Sequence, residues 1–365
     1  MSAKPAEIKA LSGARAIPPL ILVLYHFCEG HGYRGLFVFD ALVAKGYLWV
    51  EFFFALSGFI LVHVYGGRAL DYRSFLRARL ARLYPLHLFM LFVILALVIG
   101  LRALAEAGGY VSIYDVKYHP VVTFWSFVAN LFLVQAWNIL PSLTWNGAAW
   151  FVSVEFLLCL LFPLYLWLSR GRWWRGVLLI VVGGAVLRWL ALTSGHGLDL
   201  TFHDGVFRGM AGFAVGVGLS MLHRGATARG AAALPDGLFT LAQAAAMLLL
   251  LDAIYRTAWA HKPEDIYVAL AMALLIFTLA FDRGVLARAL SAAPVLKLGE
   301  WSYAIYIGQT VWLQLIRYFE QRWYPNVDPG AIWWIEPFAL LAVCTVWGAL
   351  LTRFVEVPAN RLLRR

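Results

Sequence analysis

Eleven apolar stretches follow one another along the chain, separated by short segments rich in polar and charged residues. Within each stretch the apolar positions do not alternate with polar ones as they would in a half-buried strand, so each stretch predicts a helix. About 20 residues of apolar helix cross about 30 Å of hydrocarbon. The stretches lie near residues 10–28, 46–66, 83–101, 121–137, 148–169, 176–193, 205–222, 237–255, 266–281, 300–317 and 331–352.

The composition of these 365 residues indicates that lipid, and not water, surrounds most of the chain. Hydrophobic residues make up 62% of it and charged residues 14%, against about 25% charged residues in soluble domains. Inside hydrocarbon, only helices and closed barrels satisfy every backbone polar group. The pattern therefore predicts an all-α, polytopic membrane protein. We expect one membrane-embedded domain over residues 1–365, with no soluble extracytoplasmic domain.

The stretch at 121–137 does not fit well as a span. It is short, contains Asn130 and Gln135, and leads into a turn-like segment around Pro141. We interpret it as a re-entrant or interfacial segment. The remaining stretches give about ten spans with both termini in the cytoplasm, and about two thirds of the 30 lysines and arginines then lie on the cytoplasmic side, as the positive-inside rule requires.

The net charge of +10 changes this picture little. In membrane proteins an excess of basic residues serves topology and contact with anionic lipid headgroups, so we expect membrane lipids as partners and no nucleic acid. The three cysteines show no paired metal-type spacing. His196 and His203 lie in a polar segment but match no strong metal motif, so we expect no metal.

Three ionisable residues lie inside predicted spans at a similar depth, near the outer side. They are His26 in the first span, Glu51 in the second and Glu155 in the fourth. Ionisable side chains inside a membrane are costly, so each invites a functional hypothesis. We predict that they supply acid or base groups. For His26, the alternative is a hydrogen-bonded core histidine with no role in chemistry.

Arg15 and His26 are eleven residues apart, which on one continuous helix is about 20° past three full turns and about 16 Å of rise. They would then share a face. That arrangement suits a long ligand with an anionic head near the cytoplasm and a reactive end deeper in the membrane, since arginine binds phosphate and histidine can act as a base. Alternatively, Arg15 only anchors the inner boundary of the span.

Two further basic groups have more than one interpretation. Arg77, Arg79 and Arg82 precede the third span, where they could set orientation, contact lipid or clamp a nucleotide phosphate. Arg208 lies near the outer start of the sixth span, where the positive-inside rule does not explain it. It could contact an acceptor or pair with a buried carboxylate. The glycines beside it indicate close helix packing.

Taken together, these motifs resemble acyltransferase family 3, a family of ten-span membrane O-acylases. The matching elements occur in the family's order from about Ile8 to Leu363. They are LSGARAIPPLILVLYHF, VEFFFALSGFIL, FLRARLARLYP, AWFVSVEFLLCLLFP, LGEWSYAIYI and VEVPANRLL. The resemblance implies an acyltransferase that transfers groups other than amino-acyl groups, located in the bacterial inner membrane.

The resemblance also implies roles for individual residues. Arg15 and His26 correspond to the family's paired motif, and Arg79 with Arg82 to the Arg-x-x-Arg thought to engage acyl-CoA. Glu155 matches the family's Ser-Val-Glu element. Family members typically move an acyl group from cytoplasmic acyl-CoA to O-antigen, exopolysaccharide or peptidoglycan precursors of the cell envelope, and some modify small molecules.

The sequence departs from the family pattern at two positions. Glu51 stands where the family usually has aspartate before the Phe-Phe pair, which should retain the role but change its reach. Gln309 stands where an element of the form Ser-Tyr-x-x-Tyr-x-x-His normally ends in histidine. Any proton transfer by that second histidine is therefore absent, which leaves His26 as the histidine that we expect to act.

We therefore predict O-acylation, with acetyl as the expected acyl group and acetyl-CoA as the donor. The acceptor would be a carbohydrate, met as a lipid-linked or exported polysaccharide unit, in contact with polysaccharide assembly machinery. His26 would act as base or acyl carrier with Glu155 or Glu51 orienting it, and Arg208 would bind the acceptor. The alternatives are a transporter or flippase, for which inverted repeats with broken helices would be the sign, and a non-catalytic scaffold or sensor.

Overall fold

A computed structural model describes residues 6–31, 39–109, 121–258, 263–323 and 335–363. The regular elements in these ranges are all helices, as the uninterrupted apolar stretches predict. They are α1 (Lys9–Ala14), α2 (Ile17–His31), α3 (Asp40–Ala44), α4 (Trp49–Tyr65), α5 (Tyr72–Ala107), α6 (Phe124–Leu131), α7 (Ala149–Ser169), α8 (Trp173–Thr193), α9 (Gly205–Ala228), α10 (Asp236–Thr257), α11 (Asp265–Leu279), α12 (Val285–Leu290), α13 (Ala293–Trp323), α14 (Glu336–Leu351) and α15 (Val357–Leu363).

Eight helical segments in the described part of the chain are long and apolar enough to cross a membrane. They comprise α1 with most of α2, then α4, α5, α7, α8, α9, α10, and α14 with α15. The all-α, polytopic architecture is therefore confirmed. Two further predicted spans correspond to α11, an apolar helix of 15 residues, and to α13, which has 31 residues but is interrupted by polar side chains. Residues 331–334 of the last apolar stretch lie outside the described ranges.

The stretch at 121–137 forms α6 and a series of turns. With 8 residues, α6 rises only about 12 Å, too little to cross a bilayer. Side chains of neighbouring helices bind the end of α6 and the irregular backbone after it. His87 Nε2 is 2.8 Å from the carbonyl oxygen of Asn130 in the last turn of α6, and Ser153 Oγ donates to that of Leu133 at 2.8 Å. Backbone outside a regular helix is tolerated at membrane depth where protein satisfies it in this way.

The helix α5 is longer than its predicted span and includes the arginine segment. It has 36 residues, about 54 Å of helix, so it extends well beyond the hydrocarbon layer. Asp71 caps its first turn by accepting hydrogen bonds from the hydroxyl and backbone N–H of Ser74. These bonds hold the pKa of the Asp71 carboxyl below its usual value. The arginines therefore lie on a rigid helix, and Arg79 and Arg82 are one turn apart.

Small residues bring α9 close to both α4 and α8. A Cβ atom on Gly216 would lie 1.9 Å from the backbone oxygen of Ala55 on α4, and one on Gly183 would lie 2.7 Å from the oxygen of Ala211. Both distances are too short for a methyl group, so only glycine allows this approach. The prediction that the glycines near Arg208 serve helix packing is confirmed.

Candidate functional site

A cavity of about 640 Å³ lies between α2, α13 and the turns that precede α7 and α9. Its wall combines aromatic and charged side chains. The residues that matter for the chemistry are His26, Glu29, Trp145, Asp199 and Arg317. We call this the histidine cavity. Its size and mixed lining are typical of a small-molecule site.

His26 is half-buried in the wall of this cavity. Its Nδ1 lies 3.1 Å from Oε1 of Gln309, which is fully buried on α13. Its electrostatic partners are Glu29 and Asp199, which attract a positive imidazole, and Arg317, which opposes it. The imidazole of His26 therefore has a neutral amide as its hydrogen-bond partner, and the negative charges near it are the carboxylates of Glu29 and Asp199.

A second cavity, of about 180 Å³, contains the predicted arginines. Arg15, Arg79, Arg82 and Glu155 line it together with Ser302. We call this the arginine cavity. Buried polar atoms normally have a hydrogen-bond partner, yet Arg79 Nε and Ser302 Oγ are buried and have none among the described residues. The arrangement is that of a site for an anionic, polar ligand, because arginine binds phosphate and carboxylate groups through its planar fork.

Tyr306 of α13 is the side chain that the two cavities have in common. It is 3% exposed and its ring meets that of Phe151 edge-on, with centroids 5.8 Å apart. Tyr306 therefore borders both cavities, and its ring contacts that of Phe151, which lines the arginine cavity. A ligand that occupies both cavities would contact Tyr306.

Arg15 and His26 do not lie on one uninterrupted helix. Arg15 ends α1, and a turn closed by the bond from Ala16 N–H to the oxygen of Gly13 precedes α2. The two residues then line different cavities on either side of Tyr306. The expectation of one uninterrupted helix is wrong, whereas the binding of one long ligand by Arg15 and His26 stays a prediction.

Glu155 and Glu51 lie on the predicted helices, α7 and α4, and near arginines. Glu155 lines the arginine cavity and interacts electrostatically with Arg15. Glu51 is 2% exposed and accepts a hydrogen bond from Arg208 Nε at 2.5 Å. The described hydrogen-bond partner of His26 is Gln309. Glu51 is paired with Arg208, since a buried charge without a partner is costly. A catalytic role for Glu155 or Glu51 stays a prediction.

Arg208 follows the second of its two interpretations, pairing with a buried carboxylate. It is 0% exposed, and besides Glu51 it donates to the backbone oxygens of Leu200 and Tyr47, at 2.9 and 2.8 Å. All three guanidinium nitrogens thus contact protein oxygens, although the residue also borders the histidine cavity. A direct contact with an acceptor stays a prediction.

A second buried ion pair lies beside the first. Lys45 Nζ is 2.6 Å from Asp265 Oδ1, and the hydroxyl of Tyr47 donates to Oδ2 at 2.6 Å. Asp265 Oδ2 also accepts from the backbone N–H of Leu198, at 3.2 Å. Together with the bond from Arg208 to Leu200, this pair fixes the backbone on both sides of Asp199. The turn that presents this carboxylate to the histidine cavity is therefore rigidly anchored.

Arg77 lies away from the other arginines. It is exposed, and its Nε donates to the backbone oxygen of Leu363 at 2.8 Å, which ties α5 to α15. Arg77 is not among the described residues that line the arginine cavity. The prediction that it binds the donor together with Arg79 and Arg82 is not supported by this placement.

His196 and His203 both line the histidine cavity. Across the described ranges, histidine, cysteine, aspartate and glutamate form no group of three that could hold a metal. The expectation of a metal-free site stays a prediction.

Several residues of the site are not among those that the sequence patterns predict. Glu29 follows His26 by three residues on one helix, and Arg317 follows Gln309 by eight, so helical spacing was a signal for both. Asp199 lies in a turn, where no periodic pattern reports its position. Glu356 is 7% exposed and interacts electrostatically with Arg15 and Arg82.

Glu356 belongs to the quoted element VEVPANRLL, but that element alone did not reveal its neighbours. It ends a single π-helical turn, Thr352–Glu356, between α14 and α15. Such turns are rare and often mark functional sites.

Comparison with known proteins points to acyl transfer. The sequence model of a family described as an acyltransferase domain matches residues 8–353. The acyltransferase MdmB of Streptomyces mycarofaciens is 28% identical over 402 residues, covering 100% of this chain and 95% of the relative. Protein 2 in the picA locus of Rhizobium radiobacter is 32% identical over 196 residues, which are 51% of this chain and 96% of that protein. No solved structure matches the chain.

Proposed function

Since the chain belongs to the acyltransferase family whose domain spans residues 8–353, we propose that it transfers an acyl group from cytoplasmic acyl-CoA to a hydroxyl of a carbohydrate at the membrane. Acetyl is the acyl group that we expect. The observation that supports this reaction best is the pair of adjacent cavities, with three arginines in one, His26 in the other, and Tyr306 lining both.

The arginine cavity suits part of the donor. An acyl-CoA has phosphate groups at one end and a thioester at the other, and phosphates are good ligands for arginine. At about 180 Å³ the cavity is too small for the whole molecule. The donor would therefore place phosphates near Arg79 and Arg82 and extend its thioester arm past Tyr306 toward His26.

The histidine cavity suits a sugar acceptor. Aromatic rings such as those of Trp145 and Tyr25 offer apolar faces, while Glu29 and Asp199 offer hydrogen-bond acceptors for hydroxyl groups. Sites for polar small molecules combine these two features. A lipid-linked or exported polysaccharide unit, delivered by polysaccharide assembly machinery, would meet the cavity at the membrane.

The reaction then needs one base and no cofactor beyond the donor. His26 removes the proton from the acceptor hydroxyl while the hydroxyl oxygen bonds to the carbonyl carbon of the thioester. The carbon–sulfur bond of the thioester then breaks. The imidazolium returns that proton to the CoA thiolate. Glu29 and Asp199 stabilise the transient positive charge, since both interact electrostatically with His26.

The proposed topology has ten spans with both termini in the cytoplasm of a bacterial inner membrane. Adding α11 and α13 to the eight apolar segments gives this number. In this orientation Arg15, Arg79 and Arg82 are near the cytoplasm, where acyl-CoA is made, and the basic residues follow the positive-inside rule.

The test compares the wild type with His26→Ala and a matched control, His63→Ala. His63 is on α4 beside His223, away from the described lining of both cavities. The three proteins are expressed at equal membrane levels in a bacterial host, and base-releasable acetate is measured on surface and lipid-linked glycans. We expect acetate with the wild type and the control, and a loss of about 10²- to 10⁴-fold with His26→Ala, the usual range for a general base.

Equal acetate in all three strains would refute the role of His26. If no strain shows acetate, purified protein with radiolabelled acetyl-CoA or propionyl-CoA identifies the donor. Movement of unmodified glycan across the membrane, without label transfer, would favour the transporter alternative.

A further inference from the structure

We propose that Gln309 is a positioning residue that fixes the tautomer of His26, so that Nδ1 bears the proton and Nε2 presents its lone pair to the histidine cavity. This inference rests on the proposed function, in which His26 is the base. Nε2 is then the ring nitrogen that accepts the proton, and Gln309 is the residue that fixes this tautomer.

The two ends of the Gln309 amide have different hydrogen-bond partners. Its Nε2 donates to the backbone oxygen of Tyr306 at 2.9 Å. A carbonyl oxygen accepts and never donates, so the amide nitrogen must be the end that faces Tyr306. This hydrogen bond fixes the orientation of the Gln309 amide, because the flipped amide would place two oxygens against each other.

The other end of the same amide then determines the state of His26. Gln309 Oε1 lies 3.1 Å from Nδ1 of His26. Because the amide oxygen only accepts, Nδ1 has to be the donor and carry the hydrogen. A neutral imidazole has one N–H and one lone pair, so the lone pair is on Nε2.

The burial of Gln309 increases the energy difference between the two tautomers of His26. Gln309 is 0% exposed, so water does not compete for its amide. The opposite tautomer would place the lone pair of Nδ1 against the lone pairs of Oε1 and leave a buried acceptor without a donor, which is costly. The state in which Nε2 can take a proton is thus selected before any acceptor binds.

The amide and the carboxylates consequently have different tasks. Gln309 is neutral and orients the ring, while Glu29 and Asp199 compensate the charge once Nε2 has taken the proton of the acceptor hydroxyl. That proton then leaves Nε2 for the CoA thiolate, so the hydrogen on Nδ1 never leaves the ring. Gln309, which stands where the family usually has histidine, therefore still supplies a hydrogen-bond acceptor of fixed orientation to His26 Nδ1.

The test uses two variants at this position and one elsewhere. Gln309→Glu retains an acceptor oxygen for Nδ1, whereas Gln309→Leu has a similar size and no acceptor. The matched control is Gln243→Leu, which removes another buried glutamine. Gln243 binds the backbone oxygen of Arg283 at 2.6 Å and lies outside the described lining of both cavities.

The first readout is the tautomer itself, measured by ¹⁵N NMR on the full-length protein in lipid with labelled histidine. The signal of His26 among the 9 histidines is identified by its loss in His26→Asn. We expect an N–H at Nδ1 and an unprotonated Nε2 in the wild type, in Gln309→Glu and in Gln243→Leu. Gln309→Leu should show a mixture of tautomers.

The second readout is kinetic. Gln309→Glu should keep kcat within about tenfold, while Gln309→Leu should lower kcat by about 10- to 100-fold, the range expected from one lost buried hydrogen bond. KM for both substrates should stay unchanged, because the ring still occupies its place. Gln243→Leu can lower the yield of folded protein but should not change kcat.

The two readouts separate this inference from the proposed function. An N–H found at Nε2 in the wild type, or full kcat in Gln309→Leu, would overturn the inference even if acyl transfer is established. The predicted tautomers in a protein without acyltransferase activity toward carbohydrate would support the positioning by Gln309 and refute the proposed reaction.

Discussion

Separating Glu51 from Arg208 should destabilise the protein much more than replacing both together. The side chains of Glu51 and Arg208 are 3% and 0% exposed, and Arg208 Nε lies 2.5 Å from Glu51 Oε1. Removing one partner of a buried pair leaves an uncompensated charge, which costs about 3–5 kcal/mol. Glu51→Leu and Arg208→Met should each lower the free energy of unfolding by about this amount.

The double variant Glu51→Leu/Arg208→Met should recover most of that loss. It leaves no uncompensated charge, and apolar residues of similar volume often replace a buried ion pair at little cost. The backbone oxygens of Leu200 and Tyr47 still lose their donor, at about 1 kcal/mol each. The two single variants together should lose about 6–10 kcal/mol and the double variant about 2 kcal/mol, so we expect a coupling energy of about 4–8 kcal/mol between the two positions.

The assay is thermal or denaturant unfolding of the four purified proteins in one detergent, together with the KM for the acceptor. The ion-pair interpretation requires two unstable single variants and a more stable double variant. Additive losses would refute it. A normal unfolding transition for Arg208→Met with a raised acceptor KM would instead show that Arg208 binds the acceptor.

Three further substitutions test other parts of the structure. Arg79→Gln should raise the KM for acyl-CoA about tenfold or more, as expected for a lost charged hydrogen bond, while Arg77→Gln should not; equal effects would contradict the placement of Arg77 outside the cavity. Glu29→Gln should lower kcat about tenfold with little effect on the donor KM, measured by release of free CoA, and an unchanged kcat would remove Glu29 from charge stabilisation. Gly216→Leu should prevent stable packing of α4 on α9, since even a Cβ would lie 1.9 Å from the oxygen of Ala55; a normal yield of folded membrane protein would contradict this.

Much of the fold followed from the sequence because hydrophobicity is a local property. Each helix in lipid must be apolar over most of its length, so the spans are visible in the chain itself. The exclusion of 121–137 was equally visible, from Asn130, Gln135 and the turn residues. The backbone bonds that hold this segment, such as that from Ser153 to Leu133, were not visible, since they join different elements.

The site followed only in part. The arginines at 79 and 82 and the histidine at 26 were predicted, and the structure places them around two adjacent cavities. The partners of these residues were not predicted. Arg15 follows one short helix and His26 belongs to the next, so a turn interrupts the continuous helix on which their predicted spacing rested.

The sequence by itself determined that this protein lies in a membrane, that it is helical, and that a few ionisable groups inside it had to be paired or functional. Only the tertiary structure decided which group meets which. Glu51 and Arg208 are 157 residues apart, and His26 and Gln309 are 283 apart. The cost of burying a charge demands a partner but does not name it, because the identity of the partner depends on which helices pack together and at what depth.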